Sequence, residues 1–354
     1  GPVFGTLADR KNYKKPIFTI ALVLGVVSCA ALGAGMELDL VPRDLVFSKV
    51  CYSSSLVFYD AMLPETTTDD RMDNVSSQGY AFWIYLAPAF PFIACLVIVL
   101  MSDKLGISQS AAMSIAFIIT AAWWLVMTIP LLKTYHQTQY VEAHGNPFRQ
   151  SFGQLAGTFR NIRKEKHIFL FLVAFFLFID GVYTIIDMAV AYGTAVGLDT
   201  TGLLLALLLT QFVAFPSAIA YGRLSGRFGT KRMLLVAIGA YFCITLFAAF
   251  FLREAAEFWM LAICVGLFQG GIQALSRSEF GKLIPKEHAN EYYGFFDIFG
   301  KYAAVMGTFL VSFFTQLSGN SSLGVLSIAV LFVLGFVLLR RMPESRGRSA
   351  RRGG

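Results

Sequence analysis

Charged residues are scarce in this sequence. Asp, Glu, Lys and Arg together make up 14% of its 354 residues, whereas a soluble domain has about 25%. Hydrophobic side chains stand in their place and account for 56% of the chain, including 34 phenylalanines. This composition excludes an ordinary soluble protein and predicts a polytopic membrane protein.

The sequence also lacks the residue groups on which disulfide frameworks, metal centres and membrane-embedded enzymes depend. Its five cysteines lie in or beside apolar runs without paired spacing, which is typical of packing residues. Its four histidines all fall in polar segments, so the apolar runs offer no histidine to a metal ion or to the serines at 53–55. No nucleotide-binding motif is present. We therefore expect no cofactor, no metal site, no enzymatic activity and no direct use of ATP.

Ten apolar runs are long enough to cross a bilayer, for which a helix needs about 20 residues. They are continuous rather than alternating, so they predict helices and not the strands of a barrel. The runs are residues 16–36, 45–64, 79–101, 110–132, 168–191, 201–221, 233–252, 257–276, 294–316 and 321–341. The second run is the weakest of the ten because it contains Lys49, Asp60 and four serines.

The basic residues lie almost entirely on one side of this arrangement. If residues 1–15 are cytoplasmic and each run crosses the membrane, cytoplasmic segments hold 24 of the 29 Lys and Arg residues and the opposite side holds three. This excess follows the positive-inside rule and predicts that both termini are cytoplasmic. It also accounts for the net charge of +7 without a nucleic-acid partner. We expect the plasma membrane in a bacterium, or the vacuolar membrane in a eukaryote.

A loop at the start of the chain is repeated later. Residues 5–15 read GTLADRKNYKK and residues 222–232 read GRLSGRFGTKR, so a glycine, a leucine and basic residues recur at an interval of 217 residues. Repeated halves are typical of secondary transporters. Between the two loops lies the longest polar stretch, residues 133–167, which predicts a cytoplasmic connector with a surface helix near 150–164.

Both loops resemble the G-x-L-[AS]-D-R-x-x-x-[KR]-[KR] signature of the major facilitator superfamily. In that family the loop follows the second helix of each six-helix half. The resemblance therefore implies an all-α, two-half transporter fold of twelve membrane helices, of which this chain holds about ten and begins late. The implied division is 1–132 as an incomplete four-span half, 133–167 as the connector, 168–342 as a six-span half and 343–354 as a basic tail.

Further stretches resemble one branch of that superfamily, the autophagy-related vacuole-effluxer-like permeases. They include SLVFYDAMLP at 55–64, VSSQGYAF at 75–82, DGVYTII at 180–186, QALSRSEFGKLIP at 273–285 and YGFFDIFGK at 293–301. The activity that this likeness implies is the export of amino acids. The branch also includes bacterial relatives of unsettled substrate, so the solute does not follow from the resemblance.

In the superfamily the two loops help to hold the halves together on the cytoplasmic side. The corresponding residues here are Gly5, Asp9, Arg10, Gly222, Arg227 and Lys231. We expect Asp9 against the positive N-terminal end of the helix that starts near Tyr293, with ordinary topogenic charge as the alternative role of this loop. The second loop has Gly226 where the signature has Asp, so the sequence predicts an acidic contact only at Asp9.

Two acids mark a candidate pathway through the membrane. Asp180 and Asp187 lie seven residues apart in one apolar run, which puts them on nearly the same helix face about 10.5 Å apart, with Tyr183 and Thr184 between them. A charge at the bilayer centre costs about 2.5–3.5 kcal/mol, so these acids predict a polar cavity, a partner cation or protonation. We interpret the stripe as a path for protons and solute; the alternative is that Asp187 is simply hydrated near the outer surface.

Three glutamines in other runs are further candidates. Gln211, Gln269 and Gln273 carry amide groups into otherwise apolar segments, and the last two share a helix face. They could bind a zwitterionic solute, or they could tie neighbouring helices together. The sequence leaves both interpretations open.

Two further pairs have a functional and a structural interpretation each. Tyr59 and Asp60 end the second run, where they could form the rim of a gate or a solvated helix end. Asp297 and Lys301 are four residues apart, which suits an ion pair on one helix. Alternatively, Lys301 reaches the membrane surface by itself.

These observations favour a secondary transporter that moves a small polar solute by alternating access. The resemblance points to amino acids as the solute, and the intramembrane acids point to protons as the coupling ion. The alternatives are a binding-only membrane protein or transport-inactive fragment, or an exporter of another solute such as a sugar or a drug. The expected partners are the solute, protons and the lipid bilayer, and the sequence does not indicate an oligomeric state.

Overall fold

The structure, a computed structural model, describes residues 2–34, 41–142, 157–195 and 197–342, and these residues are almost entirely helical. The helices are α1 Pro2–Ala8, α2 Lys14–Gly33, α3 Val41–Thr66, α4 Met72–Gly79, α5 Ala87–Leu100, α6 Gln109–Thr134, α7 157–164, α8 Lys166–Ala195, α9 Thr200–Phe228, α10 Thr230–Phe250, α11 Ala255–Leu283, α12 Ala289–Ser318 and α13 Ser321–Arg341. A π-helical segment, Tyr80–Leu86, joins α4 to α5, and a 3₁₀ turn, Lys286–His288, precedes α12.

The predicted apolar runs all form helices where the structure describes them. Nine helical segments in the described part of the chain are long and apolar enough to cross a membrane. The run predicted as the weakest, 45–64, lies in the 26-residue helix α3, whose charged residues keep it outside that group of nine. Of the surface helix predicted near 150–164, residues 157–164 are helical and the remainder lies outside the described residues, as does the basic tail.

Several helices begin where their side chains satisfy the exposed backbone N–H groups of the first turn. The Ser108 hydroxyl accepts the N–H of Ala111 at the start of α6. The Asp199 carboxylate accepts the N–H of Gly202 at 2.8 Å at the start of α9. Such N-caps each stabilise a helix by about 1 kcal/mol. They set the ends of these spans, and thereby the loops that connect them.

The helices group into two compact units. Unit 1 consists of residues 1–65, 87–156 and 285–294, and unit 2 consists of residues 66–86, 157–284 and 295–354. The start of α12 therefore belongs to unit 1 and the segment containing α4 belongs to unit 2. The two halves expected from the sequence, 1–132 and 168–342, follow the repeat rather than this grouping and stay a prediction.

Unit 1 is built around the pair α2 and α6, with α5 packed on α6 and α1 on α2. Its core next to the first loop is a small apolar cluster of Ala8, Phe18, Phe58, Met62 and Tyr135. Because Ala8 and Tyr135 immediately precede polar segments, this cluster fixes the positions from which the first loop and the connector leave the helices.

Unit 2 pairs α9 with α11 and packs α8 and α10 on α13, while α4 lies against α9 and α11. Stacked rings fill its interior: Phe175 and Phe296 are 4.0 Å apart between centroids, and Phe280 and Phe296 are 4.8 Å apart. Glycines let the helices approach closely, since a Cβ on Gly270 would lie 2.9 Å from that of Ala218. This dense packing holds the polar side chains of the unit at defined positions.

Candidate functional site

The first loop, residues 5–15, places Asp9 at the N-terminal end of α12. The Asp9 carboxylate accepts the backbone N–H of Asn290 at 2.9 Å, its side-chain amide at 2.7 Å and the N–H of Glu291 at 3.0 Å. This is the helix end against which the sequence places Asp9. Burial raises the pKa of Asp9 to about 7, although Lys14 and these hydrogen bonds lower it. All of these groups belong to unit 1.

A buried ion pair lies beneath the same loop. Lys14 and Glu65 form it, and both side chains are only 1% exposed. The second oxygen of Glu65 accepts the hydroxyl of Tyr135 and the backbone N–H of Thr138, each at 3.0 Å. Glu65 thus connects the start of α2, the end of α3 and the start of the connector, since charge-assisted hydrogen bonds of this kind are among the strong ones.

The connector also holds the backbone of the first loop in place. The side-chain amide of Gln137 donates to the carbonyl oxygens of Ala8 at 3.2 Å and Arg10 at 3.0 Å. The N–H of Val141 donates to the carbonyl oxygen of Asp9 at 2.8 Å. The carboxylate of Asp9 is therefore presented by a backbone that is bonded on both sides.

The second loop, residues 222–232, has a different local structure. Helix α9 continues through Phe228, so Gly226 lies on an exposed helical turn, and α10 begins at Thr230. The acid is supplied instead by Asp73 of α4. Its carboxylate accepts the hydroxyl of Thr230 at 2.5 Å, the ammonium of Lys282 at 2.6 Å and the hydroxyl of Ser278. The expectation that only Asp9 makes an acidic contact is therefore wrong.

Next to this contact, a buried arginine joins α4 and α11. Arg277 is 2% exposed, its Nε donates to the Ser76 hydroxyl at 3.0 Å, and its guanidinium lies 4.9 Å from the ring centre of Tyr80. Asp73, Arg277 and Lys282 were missed in the sequence. The available signal is the 217-residue interval, because Asp73 and Lys282 lie at that distance from Asn290 and Glu65.

The other predicted loop residues have structural surroundings of their own. A Cβ on Gly5 would lie 2.5 Å from the carbonyl oxygen of Asn290, and one on Gly222 would lie 2.6 Å from the Cβ of Ser77, so each glycine permits a close helix approach. Lys231 donates to the carbonyl oxygens of Arg340, at 2.9 Å, and Met342, at the end of α13. Arg10 is buried, and Arg227 lies over the ring of Phe228.

Asp180 is fully buried between α8 and α12 in unit 2. One carboxylate oxygen accepts the backbone N–H of Gly307 at 2.7 Å and the hydroxyl of Thr184 at 3.4 Å. The other oxygen is buried and has no hydrogen-bond partner among the described residues. Asp187, seven residues further on, is exposed, and Tyr183 is half-buried. The two acids of the predicted stripe are thus in opposite environments.

A cavity of about 270 Å³ lies within unit 2. Most of its wall is apolar, and its polar lining consists of Tyr192, Thr210, Gln211 and Gln269. Two of the three predicted glutamines therefore share a cavity. The third, Gln273, accepts the hydroxyl of Tyr85 at 3.2 Å, which is the helix-tying role named as its alternative.

The remaining predicted residues lie elsewhere. Tyr59 packs against the apolar cluster of unit 1, and Asp60 is half-buried beside it. Asp297 and Lys301 form an ion pair of 2.5 Å on α12, with the lysine side chain half exposed. Of the two interpretations of Lys301, the structure shows the ion pair.

Similarity to known sequences covers most of the chain. Residues 65–352 match the family described as "Vacuole effluxer Atg22 like". A Bacillus subtilis protein, named an uncharacterized MFS-type transporter, YxiO, is 42% identical over 354 residues, which is 97% of this chain and 81% of the relative. Autophagy-related protein 22 of Cryptococcus neoformans is 25% identical over 334 residues, which is 88% of this chain but only 59% of that relative.

Solved transporters share the fold. The E. coli fucose:proton symporter FucP has a TM-score of 0.70 at 17% identity, covering 96% of this chain and 86% of the symporter. The human organic anion transporter MFSD10 has a TM-score of 0.71 at 13% identity, covering 96% of this chain and 79% of that one. These similarities confirm the predicted all-helical transporter fold.

Proposed function

We propose that this chain, which belongs to the Atg22-like vacuole effluxer family, moves amino acids across a membrane and couples their movement to protons. Membership of this family identifies a multi-pass transporter of the major facilitator type, in which transport is secondary and driven by a gradient. The solute and the coupling ion are the new elements of the proposal. The burial of Asp180 carries it.

Asp180 supports proton coupling because of what surrounds its carboxyl group. It lies in α8 at 0% exposure, and its described bonding partners are the neutral groups of Gly307 and Thr184. A buried carboxylate charge is costly unless a cation compensates it. A proton is the cation that fits a group packed this tightly against a backbone N–H, so proton uptake and release at Asp180 would be linked to separation of α8 from α12.

The cavity in unit 2 supports the solute class. Its apolar walls and the paired amides of Gln211 and Gln269 suit a small molecule that has both polar and apolar groups. An amino acid has this character. The charge distribution of the chain supports an orientation with both termini in the cytoplasm, and we propose the plasma membrane as its location in a bacterium.

Transport by the purified chain in proteoliposomes tests this function. A mixture of labelled amino acids is supplied with and without an imposed pH gradient, and accumulation is compared for the wild type, Asp180→Asn and Asp187→Asn. We expect Asp180→Asn to reduce gradient-driven accumulation at least tenfold while solute exchange without a gradient persists. The exposed Asp187 provides the matched control, and Asp187→Asn should retain most of the accumulation.

Two outcomes would contradict the proposal. If Asp180→Asn accumulates solute like the wild type and with the same pH dependence, Asp180 is a packing residue and not the proton carrier. If the wild type binds amino acids but moves none, the binding-only alternative replaces transport. Accumulation of a sugar or a drug in the place of amino acids would refute the solute class.

A further inference from the structure

Three side chains with metal-binding atoms converge at the start of α12 in unit 1. Asp9 comes from the first loop, His288 ends the 3₁₀ turn before α12, and Glu291 lies in the first turn of that helix. One ligand atom from each of the three lies within 4.8 Å of the others. The histidine and the glutamate are three residues apart, which puts them on one side of the helix start, facing Asp9.

The atoms that face each other in this cluster have no hydrogen-bond partners. Both carboxylate oxygens of Glu291 are buried and unpartnered among the described residues, and so are Nδ1 of His288 and the side-chain oxygen of Asn290. Glu291 is 0% exposed. Buried polar atoms in folded proteins are nearly always bonded, so a group of four such atoms in one place indicates a missing ligand.

The charges of the cluster indicate that this ligand is a cation. Two buried carboxylates, those of Asp9 and Glu291, lie side by side, while the nearest ammonium, that of Lys14, already forms the buried pair with Glu65. The His288 Nδ1 lies 3.7 Å from a Glu291 oxygen, too far for a hydrogen bond that would relieve the charge. A divalent cation between the three groups would neutralise both acids.

The ligand types narrow the choice of cation. One imidazole nitrogen with two carboxylates suits first-row transition ions such as Mn²⁺, Co²⁺ and Zn²⁺, whereas Ca²⁺ and Mg²⁺ prefer oxygen ligands alone. The backbone N–H groups on Asp9 do not prevent coordination, because a carboxylate has about four lone-pair sites. The His288 side chain is 35% exposed and leaves a route from solvent to the cluster.

We propose that Asp9, His288 and Glu291 bind a divalent transition-metal cation. The ion would add a second connection between the first loop and α12, next to the hydrogen bonds that Asp9 already accepts there. This role is independent of the solute and of the coupling ion, so it can be tested without a transport assay. The three ligands come from distant parts of the sequence, and for that reason no metal site was expected from it.

Metal binding to the purified full chain, prepared without a histidine tag and stripped with chelator, tests the proposal. Equilibrium dialysis against Co²⁺ and Mn²⁺ with elemental analysis measures stoichiometry and affinity, and Co²⁺ absorption reports the ligand field. We expect one ion per chain, at least tenfold weaker binding in Glu291→Gln and His288→Ala, and unchanged binding in Glu287→Gln. Glu287 is the matched control because it is an exposed acid next to His288.

Several results would overturn the site. One is a wild type that takes up no Co²⁺ or Mn²⁺ at millimolar concentration; another is Ca²⁺ binding as tightly as Co²⁺. A third is unchanged affinity in both Glu291→Gln and His288→Ala. Because Glu291 is fully buried, its variant could misfold; His288 is partly exposed, so His288→Ala with a wild-type elution volume gives the decisive comparison. Loss of binding in Glu287→Gln as well would place the ion elsewhere.

Discussion

Glu65 and Lys282 occupy equivalent positions in the two sequence repeats and carry opposite charges. They are 217 residues apart, which is the interval between the first and the second loop. Glu65 is the acid of a buried pair with Lys14, whereas Lys282 is the base of a pair with Asp73. Each repeat thus keeps an ion pair beside its loop but reverses which chain segment supplies the acid.

The same interval relates the partners of the two loops. Asn290, which donates to Asp9 in the first repeat, is 217 residues from Asp73, and the equivalent of Asp9 is Gly226. In the first repeat the acid is on the loop and an amide is at the helix start. In the second repeat the acid is at the helix start and the loop has a glycine. The two contacts therefore differ in polarity although their backbones are related by the repeat.

The buried pair beneath the first loop should be sensitive to loss of one partner. Lys14→Met leaves Glu65 buried without its cation and should cost about 3–5 kcal/mol, whereas the double variant Lys14→Met/Glu65→Gln should lose much less than the sum of the single changes. Thermal unfolding in detergent measures this difference. In the exposed pair of Asp297 and Lys301, Asp297→Asn should cost less than about 1 kcal/mol. Additive losses at the buried pair would contradict the prediction.

The acid of the second repeat should not be replaceable from its loop. Asp73→Asn weakens the charge-assisted bonds from Lys282, Thr230 and Ser278 and should lower stability by about 1.5–3 kcal/mol. Adding Gly226→Asp should not restore it, because position 226 is exposed and a Cβ there meets nothing within 4 Å. Thermal stability of the single and double variants decides this. Full recovery in the double variant would show that the loop reaches the start of α4.

Glycine should be required in the first loop and dispensable at position 226. Gly5→Ala places a Cβ 2.5 Å from the carbonyl oxygen of Asn290, a backbone atom, and should cost about 1–3 kcal/mol. Gly226→Ala meets open space within a helix and should be neutral or stabilising by up to about 1 kcal/mol. The two unfolding temperatures should therefore shift in opposite directions, or only the first should shift. An equal loss in both would mean that crowding is not the cause.

The orientation in the membrane can be read by labelling. In a variant without the five native cysteines, a membrane-impermeant reagent should label Leu198→Cys only from outside the cell and Phe228→Cys only from inside. The expectation follows from the asymmetry of the basic residues and from the span Thr200–Phe228 that separates the two positions. Labelling of both positions from the same side would refute the proposed topology.

The spans were predictable from the sequence because run length and continuity are local properties. A helix in lipid must satisfy its own backbone, so runs such as 168–191 and 233–252 become helices whatever their neighbours are. The loop repeat was equally visible, since it depends only on residue identity at a fixed interval. These local features determined the class of protein and its family.

The environments of the candidate residues were decided by the tertiary structure. Asp180 and Asp187 share a helix face, yet only Asp180 is buried, because Gly307, 127 residues later, brings the backbone of α12 against it. Likewise Asp73 meets Lys282, and Asp9 meets His288 and Glu291, across more than 200 residues of chain. Burial and charge compensation depend on which helices pack together. That packing is set by contacts between distant segments and not by the order of residues within any one of them.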